Sequence, residues 1–148
     1  NGSCSRLYRR LLKEQQLVTT IDCYVTGSID PGLLVIEGQP AEGVSLEAAA
    51  EAIWKELELL KASPIPEREL EKLKNKVEST LIFSELNVVN KAMNLGFFEL
   101  LGDADLINQE AALYQEITTE DLHRAANAIL TEENCSELFY KAKLADIT

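Results

Sequence analysis

The feature that most constrains this chain is a strand, turn and strand written into residues 19–38. Residues 19–26 are rich in β-branched and aromatic side chains, and Ile21, Cys23 and Val25 fall on one side at a period of two. That pattern predicts a strand with one buried face. Asp30, Pro31 and Gly32 supply turn chemistry, Pro fixing φ and Gly being free to take positive φ. Leu33, Leu34, Val35 and Ile36 do not alternate at all, as in a strand covered on both faces that wants neighbours on both edges. The two strands are expected to pair antiparallel, and the helices elsewhere must find their sheet in them.

Helical periodicity fills most of the remaining chain. From Arg6, the apolar Leu7, Leu11 and Leu12 recur at helical spacing behind a cap at Ser3 or Ser5, with Arg9, Arg10, Lys13 and Glu14 between them. The three cations form the one basic cluster of an acidic chain and read as a solvated face in preference to an anion contact. Ser45 caps a helix to about Ala62, whose stripe is Leu46, Ala49, Ala50, Ile53, Leu57 and Leu60, with Trp54 packing at its flank. Pro64 and Pro66 break the chain, and a helix then runs from Glu67 to about Leu86. Residues 87–101 form a less polar helix, expected to bury Val88, Met93, Phe97 and their neighbours against the sheet, with Gly102 as terminator. A helix over 103–116 follows. Thr118, Thr119, Glu120 and Asp121 then form a capping motif for a last helix over 119–130. Residues 135–142 read as a final strand, and the tail beyond Ala142 as frayed. The sum is an α+β fold, a small antiparallel sheet of about three strands packed against several helices, in a single domain over 1–148.

Charge and composition exclude several function classes. Acidic residues outnumber basic ones by 25 to 14, for a net charge of -11, and such a surface repels nucleic acid. Every apolar run is interrupted well before the ~20 residues a membrane helix needs, so the chain is expected to be soluble; cytoplasm and periplasm both stay open, since these residues do not specify the compartment. Cys4, Cys23 and Cys135 are an odd count without CxxC spacing; Cys23 and Cys135 are expected to be small core residues. The chain starts at Asn1 and its one Met is the internal Met93, so it is expected to be either a processed product or a piece of something larger.

Catalytic chemistry is scarce. His123 is the one histidine, which leaves a zinc site of two histidines and a carboxylate out of reach, and there is no G-x-S-x-G turn, P-loop or dinucleotide fingerprint. His123 reads as a boundary residue beside the last helix's buried stripe. Asp103 and Asp105 fall short of a cation-binding loop. No catalytic residue and no metal ligand is assigned.

Several stretches, in order and spacing, resemble a known family. They are Gly2 to Tyr8 with Leu11, Glu14, Leu17 and the strand from Ile21; Asp30, Pro31, Gly32 and Leu33; the helix from Ser45; the run Glu69, Leu70, Glu71, Lys72, Leu73, Lys74, Asn75, Lys76; and Thr118 to Leu122. The resemblance, over nearly the whole chain, is to the C-terminal-type domain of the insulinase/pitrilysin zinc metallopeptidases, which include the mitochondrial processing peptidases. It implies part of an inverzincin-type fold, in which homologous α+β domains form two halves of a chamber around an unfolded peptide. The family's zinc sits on an inverted His-x-x-Glu-His helix and a later Glu of another, N-terminal domain. This chain has neither motif, so it resembles the non-catalytic half, expected to lack that half's opening strand and helix.

The resemblance implies as partners a peptide substrate and a catalytic domain or subunit, with zinc held by the parent's catalytic half. In the family's partner domains an Arg and a Tyr contact substrate; aligned on Leu17, Lys13 stands at the Arg place and Thr19 at the Tyr place. Lys keeps the charge without the planar fork, and Thr loses the aromatic hydroxyl. An exposed sheet edge is expected to favour a homo-oligomer. The competing expectation is an autonomous protein-interaction or scaffold domain with no peptidase role.

Overall fold

A short link between two buried residues, Leu11 and Val18, turns a helix into a strand. The computed structural model describes residues 5–27 and 29–141. Ser5 opens the first helix, its Oγ accepting from the backbone N–H of Tyr8 at 3.3 Å. The winding then loosens, and Tyr8–Glu14 is a π-helix in which the N–H of Gln15 reaches the carbonyl of Arg10 at 2.8 Å, five residues back. Gln16 ends it at φ 54°, a left-handed backbone that few residues with a Cβ adopt. The N–H of Leu17 then donates to the Leu11 carbonyl at 2.9 Å, six residues back, a Schellman-type closure.

Strand β1, Val18–Val25, follows at once and pairs antiparallel with β2, Leu34–Pro40, as expected. Cys23 stands opposite Ile36 and Val25 opposite Leu34. Val18 faces Pro40 while Thr20 faces Gln39, so Thr19 is the extra residue of a β-bulge. The N–H of Thr26 donates to the Leu33 carbonyl at 2.9 Å, and the N–H of Leu33 to Thr26 Oγ1 at 2.8 Å, which closes the hairpin. Gly32 matters here for closeness, not for a positive φ: a Cβ at this position would run into the carbonyl oxygen of Thr26.

Five α-helices follow: α1 (Leu46–Ala62), α2 (Glu67–Glu85), α3 (Val88–Leu100), α4 (Leu106–Glu116) and α5 (Thr119–Ile129). Ser45 caps α1 by accepting from the N–H of Ala48 at 3.1 Å. Asn87 caps α3, its side chain accepting from the N–H groups of Val89 and Asn90. Gly102, at φ 110°, ends it as the sequence predicts. Thr118 and Asp121 form the expected capping box before α5: the N–H of Asp121 reaches Thr118 Oγ1 at 3.1 Å, and the N–H of Thr118 reaches Asp121 Oδ2 at 3.0 Å.

The described residues gather into two compact units, one running to Leu59 and resuming at Asn127, the other Leu60–Ala126. In the first, Leu11, Val18, Ala49 and Ala52 make the core, with Leu7, Leu17, Ile21 and Ile53 packed against it. Removing a side chain such as Leu11 from water contributes about 1.5–3 kcal/mol. In the second, α2, α3 and α4 pack on one another, with Leu70 and Ile107 buried. Lys74 of α2 donates to the Gln115 carbonyl at 2.7 Å, and Gln115 Nε2 to Glu78 at 3.2 Å.

The fold is α+β, but four expectations need correcting. The sheet has two strands among the described residues, because 135–141 forms no ladder; side chains tie this segment to α1 instead, Trp54 Nε1 donating to Glu137 at 2.6 Å and Lys141 Nζ to Glu47 at 3.3 Å. Without a strand or a covering layer there, Cys135 is exposed, while Cys23 is half-buried. Helix α3, expected to be buried, contributes no buried residue, and Val88 and Met93 are 81% and 68% exposed. Leu33, expected to be covered, is likewise exposed, since β2 pairs with β1 alone among the described residues. The proposed caps before Ser5, Cys4 and the tail from Ala142 lie outside the described residues.

Candidate functional site

The two residues singled out as substrate contacts lie on either side of the link from helix to sheet. Lys13 is in the last turn of the π-helix and exposed, its Nζ 5.6 Å from the centroid of the Tyr8 ring. Thr19 is the exposed bulge residue of β1, and its hydroxyl donates to the Gln39 carbonyl at 3.2 Å. A bulge re-aims a side chain away from the regular alternation of the strand. With its proton given to Gln39, the Thr19 oxygen retains acceptor capacity. No hydrogen bond joins Lys13 to Thr19 among the described residues; the structure brings Lys13 together with the Tyr8 ring.

The other two cations of the basic cluster are committed to carboxylates. Arg9 Nε lies 3.4 Å from Glu14, both largely exposed, and Arg10 lies 3.4 Å from Glu56, whose side chain is nearly buried. An exposed pair of the first kind contributes little to stability. Its effect here is on availability: Arg9 and Arg10 hold carboxylates, and Lys13 has none among the described residues.

Sequence reasoning missed what surrounds Lys13. Leu7, Leu11 and Leu12 fit an ordinary α-helix, so nothing in their spacing announces π-winding. Tyr8 carried no signal beyond its place five residues before Lys13. The left-handed Gln16 and the bulge at Thr19 likewise lie between two residues of one core, Leu11 and Val18, and carry no turn-residue signal.

Other titratable groups have structural explanations. The His123 ring places Nε2 2.8 Å from the Lys61 carbonyl; a carbonyl only accepts, so Nε2 carries the proton and helps satisfy the end of α1. Asp103 accepts from the N–H of Asp105 at 2.9 Å, and Asp105 accepts from Asn108 at 2.6 Å, which occupies both in turning the chain into α4. Burial pushes the Cys23 thiol above its ordinary value, with the neighbouring Asp22 charge acting in the same direction, so it is a poor nucleophile. A peptidase-type zinc site of two histidines and a carboxylate is out of reach of a chain with one histidine, whose Nε2 meets the Lys61 carbonyl. No three His, Cys, Asp or Glu side chains converge as a metal-binding group among the described residues.

Comparisons with known proteins place these features in context. The model of a family described as the peptidase M16 inactive domain matches residues 1–77, which hold the π-helix, the hairpin, α1 and the first part of α2. Among solved structures, the chain is similar to the inactive peptidase domain of a candidate zinc protease from Bordetella parapertussis, at 23% identity and a TM-score of 0.86, over 99% of this chain and 80% of that one. It is similar to a candidate zinc protease from Bordetella pertussis Tohama I, at 25% identity and a TM-score of 0.77, over 90% of this chain and 74% of that one. A Helicobacter pylori protease matches at 20% identity and a TM-score of 0.78, over 86% of this chain but 31% of its own length, so the chain spans about a third of that protease. No curated protein matches the chain significantly.

Proposed function

Because the chain belongs to the family of M16 peptidase inactive domains, we propose that it helps enclose and hold peptide substrates for cleavage at a zinc site carried by another domain or by a partner subunit. The observation that carries this reading is the match of the inactive-domain family over residues 1–77. In this reading Lys13 and Thr19 contact the substrate main chain. The Lys13 ammonium donates to a peptide carbonyl or terminal carboxylate, and the Thr19 oxygen accepts from a peptide N–H. The two polarities together suit an extended peptide. Zinc belongs to the parent's catalytic half, and no step of the chemistry is assigned to this chain.

The test is binding of a fluorescein-labelled, unstructured peptide to the full chain, read by fluorescence anisotropy. Lys13→Met is expected to weaken it about ten-fold, the size of a charged hydrogen bond; Thr19→Val is expected to weaken it less. Undiminished binding in both variants sinks the substrate-contact reading, and chelator-sensitive peptide hydrolysis by this chain alone sinks the non-catalytic one. A homo-oligomer formed through the open sheet edges is a further part of the proposal, checked by light scattering at high concentration. The second reading, an autonomous interaction or scaffold domain, draws on the open apolar side of α3. It predicts no peptide binding that depends on Lys13.

A further inference from the structure

We propose that Tyr8 is a positioning residue for Lys13, and that the π-winding of Tyr8–Glu14 is what brings the two side chains together. The inference rests on the reading of Lys13 as a substrate contact. About 3.6 residues complete a turn of α-helix, so side chains meet at spacings of three and four, and residues five apart point to different sides. In this segment the meetings are five apart. Lys13 Nζ stands 5.6 Å from the Tyr8 ring centroid, and Arg9 Nε stands 3.4 Å from Glu14 Oε1. Two consecutive pairs share a spacing that an α-helix separates and an i→i+5 winding aligns.

The consequence falls on Lys13. A lysine carries its charge on a flexible four-carbon stem, and an exposed one samples many orientations. An aromatic face within cation–π range restricts those orientations without accepting from the ammonium as a carboxylate does. The Arg9 to Glu14 pair engages the adjacent carboxylate, so Glu14 is held by Arg9 and does not draw Lys13 to itself. Lys13 is thereby held in place with its N–H donors available to an acceptor on a peptide. Tyr8 touches no substrate in this scheme; it acts through Lys13.

Two measurements on the full chain test this. In proton–carbon NMR spectra, the Lys13 ε-protons are expected to be shifted upfield by the Tyr8 ring, a shift kept in Tyr8→Phe and lost in Tyr8→Leu and Tyr8→Met. Two apolar replacements guard against one of them failing to fold, with circular dichroism as the check. In the anisotropy assay with the same labelled peptide, Tyr8→Phe is expected to bind as the wild type. Tyr8→Leu and Tyr8→Met are expected to bind about two- to five-fold more weakly. Added to Lys13→Met, Tyr8→Leu is expected to cause no further loss, because the two act as one unit. Wild-type affinity in the folded Tyr8→Leu and Tyr8→Met proteins, or a further loss in the Lys13→Met background, overturns the proposal and leaves the substrate-contact reading standing. Wild-type affinity in Lys13→Met overturns the positioning proposal together with the Lys13 half of the substrate-contact reading; the ring-current shift then reports the pairing alone.

Discussion

The two units of this chain treat their apolar residues in opposite ways. In the first, a few residues from three different elements converge: Leu11 from the π-helix, Val18 from β1, and Ala49 and Ala52 from α1. In the second, α3 is among the most apolar elements of the chain, yet it contributes no buried residue. A core is made by convergence, and apolar composition is only its raw material. Small residues can do what large ones do not: Ala49 and Ala52 are buried because they let α1 approach Leu11 and Val18 closely, whereas Val88 and Met93, though larger, stay open.

The sharpest way to break this comparison is at Leu11. Leu11→Ala removes the one large side chain with no exposure among the described residues and opens a cavity between π-helix, strand and α1. Its expected cost is about 2–5 kcal/mol, read as a lower urea midpoint. A loss under about 1 kcal/mol would mean that the first unit does not depend on convergence at this point. Next in size is Gly32→Ala. The added Cβ meets the Thr26 carbonyl, which is backbone and already fixed by the hairpin, so the turn must shift. Loss of about 1–3 kcal/mol is expected, with the largest amide shifts in NMR spectra confined to β1 and β2. A neutral outcome would show that the turn gives way freely.

How far these features could be read from the sequence divides along the same line. The hairpin, its antiparallel sense, the caps at Ser45 and Thr118, the stop at Gly102 and the helix spans of the second unit follow from local rules, in which each residue type does what its own backbone and hydrogen-bonding chemistry favours. What was illegible depends on distant partners. Residues 135–141 have strand-like composition, but a strand exists only where a neighbouring strand receives it. The apolar side of α3 announced burial, but burial requires a covering surface. Within the candidate site, Lys13 and Thr19 came from family resemblance. The features that give them their settings, Tyr8 beneath Lys13 and the bulge at Thr19, come from π-winding and register, and neither is encoded in a local motif.

A weaker perturbation sharpens the contrast from the other side. Val88→Ser and Met93→Ser alter large apolar residues that remain exposed. Each is expected to change stability by no more than about 0.5 kcal/mol, an order of magnitude below the largest cost expected at Leu11. If either instead lowers the urea midpoint as Leu11→Ala does, α3 is covered in solution and the comparison between the units fails.

The smallest expected effect is electrostatic and belongs to the start of α5. The Asp121 carboxylate accepts from the hydroxyl of Thr118 at 2.7 Å, from its backbone N–H at 3.0 Å and from Arg124 at 2.6 Å. These bonds favour the charged form and hold the carboxyl below the usual value. The folded chain therefore takes up this proton less readily than the unfolded one. The resulting stabilisation is complete above the unfolded-chain value, about 3.9 for Asp, and is lost as the pH falls through the lower folded-state value. Glu47 offers the matching case in the first unit, its carboxyl lowered by a bond from its own backbone N–H and by Lys141. Glu47 is exposed and Asp121 partly so, and added salt is expected to shrink both contributions. Melting curves from pH 7 to pH 2 are expected to show Asp121→Asn and Glu47→Gln slightly less stable than wild type at neutral pH, with the gap closing toward the acid end. A gap that persists unchanged at pH 2 would assign each effect to lost hydrogen-bond geometry and not to charge.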